Sequence, residues 1–218
     1  MNTPCLPDDE LHVWWWPGAA PPAAALAWLT AGERARHARF LVEADRDAFL
    51  AAHAMLRMLL DHYGCAAARQ PFATAVHGKP GVTGGPYFNL SHTRGLVACA
   101  FSRSAEVGVD VEHGARTNDW QRLLDQVHAP EECAALRALP EAEQQRRFYQ
   151  SWTRKEAWAK VGGEGLHLDF RTLNVLRPPP SLFLASFDVA AGFEAAVACA
   201  RAPSRLLVRR FDWARALL

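Results

Sequence analysis

YFNLSHTRGLVACAFSRSAEVGVDVE, residues Tyr87 to Glu112, holds three strand-like runs: YFNLSHT, LVACAFS and VGVDVE. Each is rich in β-branched or aromatic residues, and turn residues separate them at Arg94-Gly95 and at Arg103 to Glu106. Helical periodicity lies on either side. Upstream, DRDAFLAAHAMLRMLLDHY from Asp45 to Tyr63 carries Phe49, Ala52, Leu56, Leu59 and Leu60 at helical spacing and ends at Gly64. Downstream, Pro130 to Trp158 reads as helix, with Pro130 in a first turn and Pro140 breaking it in two. Helices and strands in separate blocks, twice over, predict an α+β fold of two similar halves, residues 1–104 and 105–218, joined near Arg103 to Glu106.

Working outward, Leu11 to Trp16 (LHVWWW) predicts a strand whose three tryptophans serve core and edge packing. A short helix follows near Ala23 to Leu29. Thr30 and Glu33 form a T-x-x-E capping box that opens a helix bearing Arg34, Arg36 and Arg39. The tail alternates strand-like runs, Leu173 to Leu176, Ser181 to Phe187, Glu194 to Ala200 and Arg205 to Phe211, with Pro/Gly turns, predicting an antiparallel sheet.

Composition narrows the function. The 218 residues, 50% hydrophobic and 22% charged, suit an ordinary globular protein. A net charge of +1 gives no domain-wide basic excess, which argues against a nucleic-acid binder. The five cysteines show neither a C-x-x-C pair nor zinc spacing, and their odd number fits a reducing compartment. No apolar run approaches the roughly 20 residues of a membrane span, and the acidic N-terminus lacks signal-peptide character. The expectation is a cytoplasmic protein without a membrane partner. Of 24 basic residues only Lys79, Lys155 and Lys160 are lysine, so these three draw attention.

Four segments could carry chemistry. In GVDVE, Asp110 and Glu112 share one strand face about 7 Å apart, while Val109 and Val111 point the other way. They form either a solvated strand edge or a carboxylate pair for a hard cation such as Mg²⁺. In WTRKEAWAKVGGEGL, Trp152, Glu156 and Lys160 fall on one helical stripe, with Lys155 about 100° to the side of Glu156. A surface Glu-Lys pair there is worth only about 0.3 to 0.5 kcal/mol. Phe148, Trp152 and Trp158, however, make the helix too apolar for a freely solvated face. Glu156 could then be a third metal ligand or a proton acceptor, and Lys160 a mobile charge for a phosphate. HGKP presents Lys79 in a turn, and NLSHT offers Ser91 and His92 without the G-x-S-x-G elbow of a hydrolase. No P-loop or dinucleotide fingerprint is present.

In order and spacing, Gly78-Lys79-Pro80, Phe88 to His92, Gly108 to Glu112 and Trp152 to Leu166 resemble the motif series of the 4′-phosphopantetheinyl transferases, of the monomeric surfactin-synthetase type. The resemblance spans Gly78 to Leu166, with a weaker match back to Arg39-Phe40. It implies two α/β halves about a pseudo-twofold with coenzyme A between them. The implied reaction transfers phosphopantetheine to a serine of an apo acyl or peptidyl carrier protein and releases adenosine 3′,5′-bisphosphate. Carried over residue by residue, Asp110, Glu112 and Glu156 would hold Mg²⁺, with Mn²⁺ as an alternative. Lys160 would stabilise the departing phosphate, and Glu156 would serve as base. Lys79 and Pro80 would lie by the adenine end, and Ser91 and His92 near the 3′-phosphate. Lys155 rests on the family pattern alone.

The sequence departs from that pattern where Glu33 enters a basic stretch and where Asp45-Arg46-Asp47-Ala48 replaces D-x-x-R, leaving Arg36, Arg39 and Arg46 as 3′-phosphate candidates. Arg116 and Arg122 could meet an acidic carrier helix. A monomer would suffice to build the cleft. Two rival readings remain. A non-catalytic homologue that binds coenzyme A or a carrier should lose a ligand or the second lysine, and this chain keeps both. A Mg²⁺-dependent pyrophosphate hydrolase explains neither GKP nor the Ser-His pair.

Overall fold

A computed structural model describes residues 6–18, 20–74, 78–114, 120–163 and 168–217. The chain is α+β, as predicted, and alternation along its strands builds it in layers. β1 (Glu10–Pro17), β4 (Tyr87–Thr93), β5 (Leu96–Ser102) and β9 (Arg205–Arg210) form one sheet in the order β4-β5-β1-β9. In β5, Val97, Cys99 and Phe101 face the long helix α2 (Glu43–His62). Leu96, Ala98 and Ala100 face the opposite way, toward β6 (Val107–His113) and β8 (Phe193–Cys199). β1 divides likewise: Trp14 and Trp16 pack on the α2 side, and Leu11, Val13 and Trp15 on the other. The tryptophan run is therefore packing, shared between two cores.

β6, β8 and β7 (Phe183–Ser186) form a second, antiparallel sheet in the order β6-β8-β7. Its outer face carries Ala196 and Ala198, against which Ala157 and Val161 of α5 (Glu141–Gly162) pack. The order of layers is thus α2, first sheet, second sheet, α5. Smaller helices complete the described chain: α1 (Ala31–His37), α3 (Trp120–Val127), α4 (Pro130–Arg137) and α6 (Trp213–Ala216), with β2 (Ala73–Thr74) and β3 (Pro80–Gly81) as a minimal ribbon. Among the described residues, no helix is long and apolar enough to cross a membrane.

Local signals explain most boundaries. The Thr30–Glu33 capping box is formed in both directions, Pro130 opens α4 from its first turn, and Pro140 precedes α5. Gly163 ends α5 at φ 76°, a left-handed conformation that glycine adopts without Cβ strain. The segment Ala23–Trp28 is 3-10 helix, and Arg39 lies past the end of α1. Helix α3 had no counterpart in the sequence expectations.

Two expectations for the tail are corrected. Leu173 to Leu176 is not a strand: it follows a 3-10 turn at Phe170–Thr172, and its backbone is held by side chains of other elements. The last strand does not join the tail's antiparallel sheet. β9 pairs in parallel with β1, in the register Leu11 with Leu206 and Val13 with Val208. Phe211 and Trp213 then complete the α2-side core. Apolar alternation places a residue on a face but does not choose its neighbouring strand.

Candidate active site

The site forms where β4, β6 and α5 meet. β4 and β6 belong to different sheets, and side chains of β4 bridge them. Asn89 Oδ1 accepts from Val109 N at 2.9 Å and Ser91 Oγ from Val111 N at 3.4 Å. Asn89 and Ser91 are two residues apart, as are Val109 and Val111, so the buried Asn-x-Ser substitutes for a backbone ladder.

Glycine decides how close α5 comes. A Cβ on Gly108 would stand 1.9 Å from Ala157 O and 3.0 Å from Lys160 Cβ. Only glycine lets the helix backbone settle on β6 at this depth. That approach delivers Lys160 to Asp110: Nζ donates to Asp110 Oδ1 at 2.6 Å, to Val109 O at 3.2 Å and to Ser91 Oγ at 3.3 Å. Ser91 Oγ in turn donates to Asp110 Oδ1 at 2.9 Å. Asp110 is 4% exposed, and its second oxygen, Oδ2, is buried with no hydrogen-bond partner among the described residues.

Glu156 lies beside this group. Its carboxyl is pushed up to about 7, first by burial and then by the neighbouring charges of Asp110 and Glu112, against the opposing pull of Lys160. Glu156 therefore feels the charges of both Asp110 and Glu112. Among the described residues, no group of three or more His, Cys, Asp or Glu side chains stands in an arrangement that could hold a metal ion. The donors nevertheless suit a hard cation, because all are carboxylate oxygens and Asp110 Oδ2 is a buried acceptor without a partner. Such a cation with few protein ligands completes its shell from substrate oxygens and water.

A cationic region adjoins the carboxylates. His92 is pushed down to about 4, by desolvation first and then by the charges of His53, Lys160 and Arg36. His53, on α2, did not stand out in the sequence. Its ring stacks on Phe49 at 4.0 Å, and its Nδ1 lies 3.0 Å from Glu33 Oε1. Nothing in AAHAML distinguishes such a histidine, because its partners lie on α1 and β4. Arg36 is exposed, with its guanidinium 5.2 Å from the Phe49 ring. Arg39 is also exposed and Arg46 half-buried. Arg94 pairs with Asp45 at 3.0 Å.

Glu33, which broke the basic pattern, serves a structural centre. It accepts from Arg57 through both oxygens, at 2.7 and 2.8 Å. Arg57 is 1% exposed and also donates to Ala68 O and Gln70 O.

The other two lysines go elsewhere. Lys79 Nζ donates to Glu106 Oε2 at 2.6 Å, to Val107 O at 2.9 Å and to Val161 O at 3.0 Å, tying the GKP turn to β6 and to the carbonyl end of α5. With Pro80 and Gly81 it lines a cleft of about 630 Å³. Lys155 is fully buried on the other side of α5. It pairs with Glu132 at 2.6 Å and donates to Phe170 O and Leu173 O. Glu132 also accepts from Ala129 N and Val175 N, both at 2.8 Å. The structure therefore places Lys155 as a fastener of residues 170–175 and not beside the Asp110 group. Trp152 is packing too, stacked between Phe148 and Phe170 at 6.3 and 5.5 Å. Arg116 and the end of the glycine-rich segment, 164–167, lie outside the described residues. Arg122 is exposed on α3.

Comparison with known proteins matches residues 106–200 to the 4′-phosphopantetheinyl transferase superfamily. The chain is 34% identical over 171 residues to the 4′-phosphopantetheinyl transferase HetI of a Nostoc species, covering 74% of this chain and 72% of that protein. It is 26% identical over 193 residues to the 4′-phosphopantetheinyl transferase Sfp of Bacillus subtilis, covering 82% and 84%. A putative 4′-phosphopantetheinyl transferase of a Synechocystis species is 30% identical over 145 residues, 64% of this chain and 59% of that protein.

Proposed function

Because the chain belongs to the 4′-phosphopantetheinyl transferase superfamily, we propose that it transfers phosphopantetheine from coenzyme A to a serine of acyl or peptidyl carrier domains and releases adenosine 3′,5′-bisphosphate. The observation that carries the reading is Asp110, one oxygen held by Ser91 and Lys160, the other buried and unpartnered within reach of the charges of Glu156 and Glu112.

Asp110, Glu112 and Glu156 would hold a divalent cation, Mg²⁺ or alternatively Mn²⁺. A cation bound there supplies charge neutralisation to the pyrophosphate oxygens as the phosphoryl group transfers. The chain's own residues do the rest. Lys160 already projects its ammonium into the group and is placed to meet the leaving phosphate. Glu156 accepts the proton of the carrier serine. A carboxyl near 7 in the cation-free chain is returned to its ionised form when positive charge offsets Asp110 and Glu112. His92, neutral near pH 7, would donate a hydrogen bond to the 3′-phosphate, with the charge of Arg36 nearby, and Arg39 and Arg46 are the further candidates for that phosphate. The turn holding Lys79 and Pro80 lines the cleft taken for the adenine end. In this reading coenzyme A lies where half 1–104 meets half 105–218, at the β4–β6 seam.

The test incubates the protein with apo-carrier protein, coenzyme A and Mg²⁺ and weighs the carrier. A mass gain of one phosphopantetheine, lost with EDTA, supports transfer. Carriers from several pathways that stay unmodified would overturn it.

A further inference from the structure

The face of α5 that looks away from Asp110 borders a second cleft, which the transfer reading leaves unused. At about 100° per residue, Arg147, Gln150, Ser151 and Arg154 (i, i+3, i+4, i+7) fall on one stripe, and Arg154 stands about 200° around the helix from Glu156. With Leu136, Leu139 and Leu176 they line a cleft of about 520 Å³, the size of a small-molecule site.

The charge of this cleft is unbalanced. Arg154 is half-buried, and among the described residues its sole polar contact is a marginal one, Nη2 to Val175 O at 3.5 Å. Arg147 is exposed and has no ion-pair partner among the described residues. The single carboxylate in the wall, Glu132, is already engaged by Lys155 and by two backbone N–H groups. Ser151 Oγ is 2.8 Å from His128 Nε2, which turns another polar group inward without adding negative charge. Desolvating a guanidinium with no counter-charge is costly, and burial lowers its affinity for the proton. An anion in the cleft removes that cost. The leucines around it require that the anion carry an apolar body.

We propose that this cleft binds a small organic anion with an apolar body, its head on Arg154 and Arg147 and its body against Leu136, Leu139 and Leu176. A carboxylate and a phosphate monoester share this chemistry. The site is separate from the Asp110 group, and its test does not depend on the transfer reaction.

The experiment titrates the full chain calorimetrically with octanoate and with octyl phosphate, using 1-octanol as the uncharged control. Wild type is compared with Arg154→Gln, Arg147→Gln and Glu156→Gln. The expected result is saturable one-to-one binding of one or both anions. It should be about tenfold weaker in Arg154→Gln, weaker in Arg147→Gln and unchanged in Glu156→Gln. The preferred anion tells carboxylate from phosphate. Should Arg154→Gln fail to fold, the exposed Arg147 variant carries the comparison. The proposal falls if neither anion saturates, if octanol binds as well, or if the arginine variants bind like wild type.

Discussion

The ammonium of Lys160 lies 2.6 Å from Asp110 Oδ1, while the other oxygen of the same carboxylate is buried without a partner among the described residues. One side chain thus has half its capacity satisfied from α5 and half held open on β6. Lys160→Ala should remove the counter-charge, and carrier labelling should fall about 10²-fold or more. Lys160→Arg should not restore it, because a planar fork cannot replace a point charge among Asp110, Ser91 and the Val109 carbonyl. Labelling rates of the two variants against wild type check this, and an active Arg variant would contradict it.

Glu156→Gln is nearly isosteric. Its expected effect is a loss of labelling of about 10² to 10⁴-fold with the melting temperature kept or raised. The rise would come from removing a charge that burial, Asp110 and Glu112 disfavour. Wild-type labelling by this variant would take Glu156 out of the reaction.

The same carboxyl sets a pH dependence. Its folded pKa of about 7 lies above the ordinary carboxylate value, so between pH 4.5 and 7 the folded chain holds a proton that the unfolded chain has released. Stability from this group is present below the unfolded pKa and lost as pH rises through about 7. With EDTA present, denaturant midpoints of wild type should fall relative to Glu156→Gln from pH 5 to pH 8. The difference is of order 2 kcal/mol. Parallel curves would show that the pKa is not raised.

Lys155→Met should act through stability. It leaves Glu132, 4% exposed, without its cation, a loss of about 3 to 5 kcal/mol for a buried pair. For a chain of this size that is a fall in melting temperature of at least about 6 °C. Thermal melts decide it: an unchanged melt with lost labelling would instead place Lys155 in the reaction.

Gly108→Ala should displace α5, because the added carbon meets a backbone oxygen that cannot rotate away. A cost of about 3 kcal/mol or more is expected, together with loss of labelling as Glu156 and Lys160 recede from Asp110. Retention of both stability and labelling would show that the helix has room.

Much of this was legible in the chain. Alternation in GVDVE put Asp110 and Glu112 on one face and Val109 and Val111 in a core. Helical spacing aligned Glu156 with Lys160, and capping residues marked α1 and α4. These features depend on contacts within a few residues, where backbone geometry alone sets the period. What stayed hidden depends on partners far along the chain. The partner of β9 was decided by β1, nearly the whole sequence away. Leu173 to Leu176 looked like a strand, but Lys155 and Glu132 take its backbone groups instead. Lys155 and Lys160 read alike as lysines on one helix, yet about 140° of helical rotation sends one to Glu132 and the other to Asp110. The sequence by itself determined the elements and the chemistry each could offer. Tertiary packing decided which charges meet, because a buried charge settles wherever the fold supplies its counter-charge.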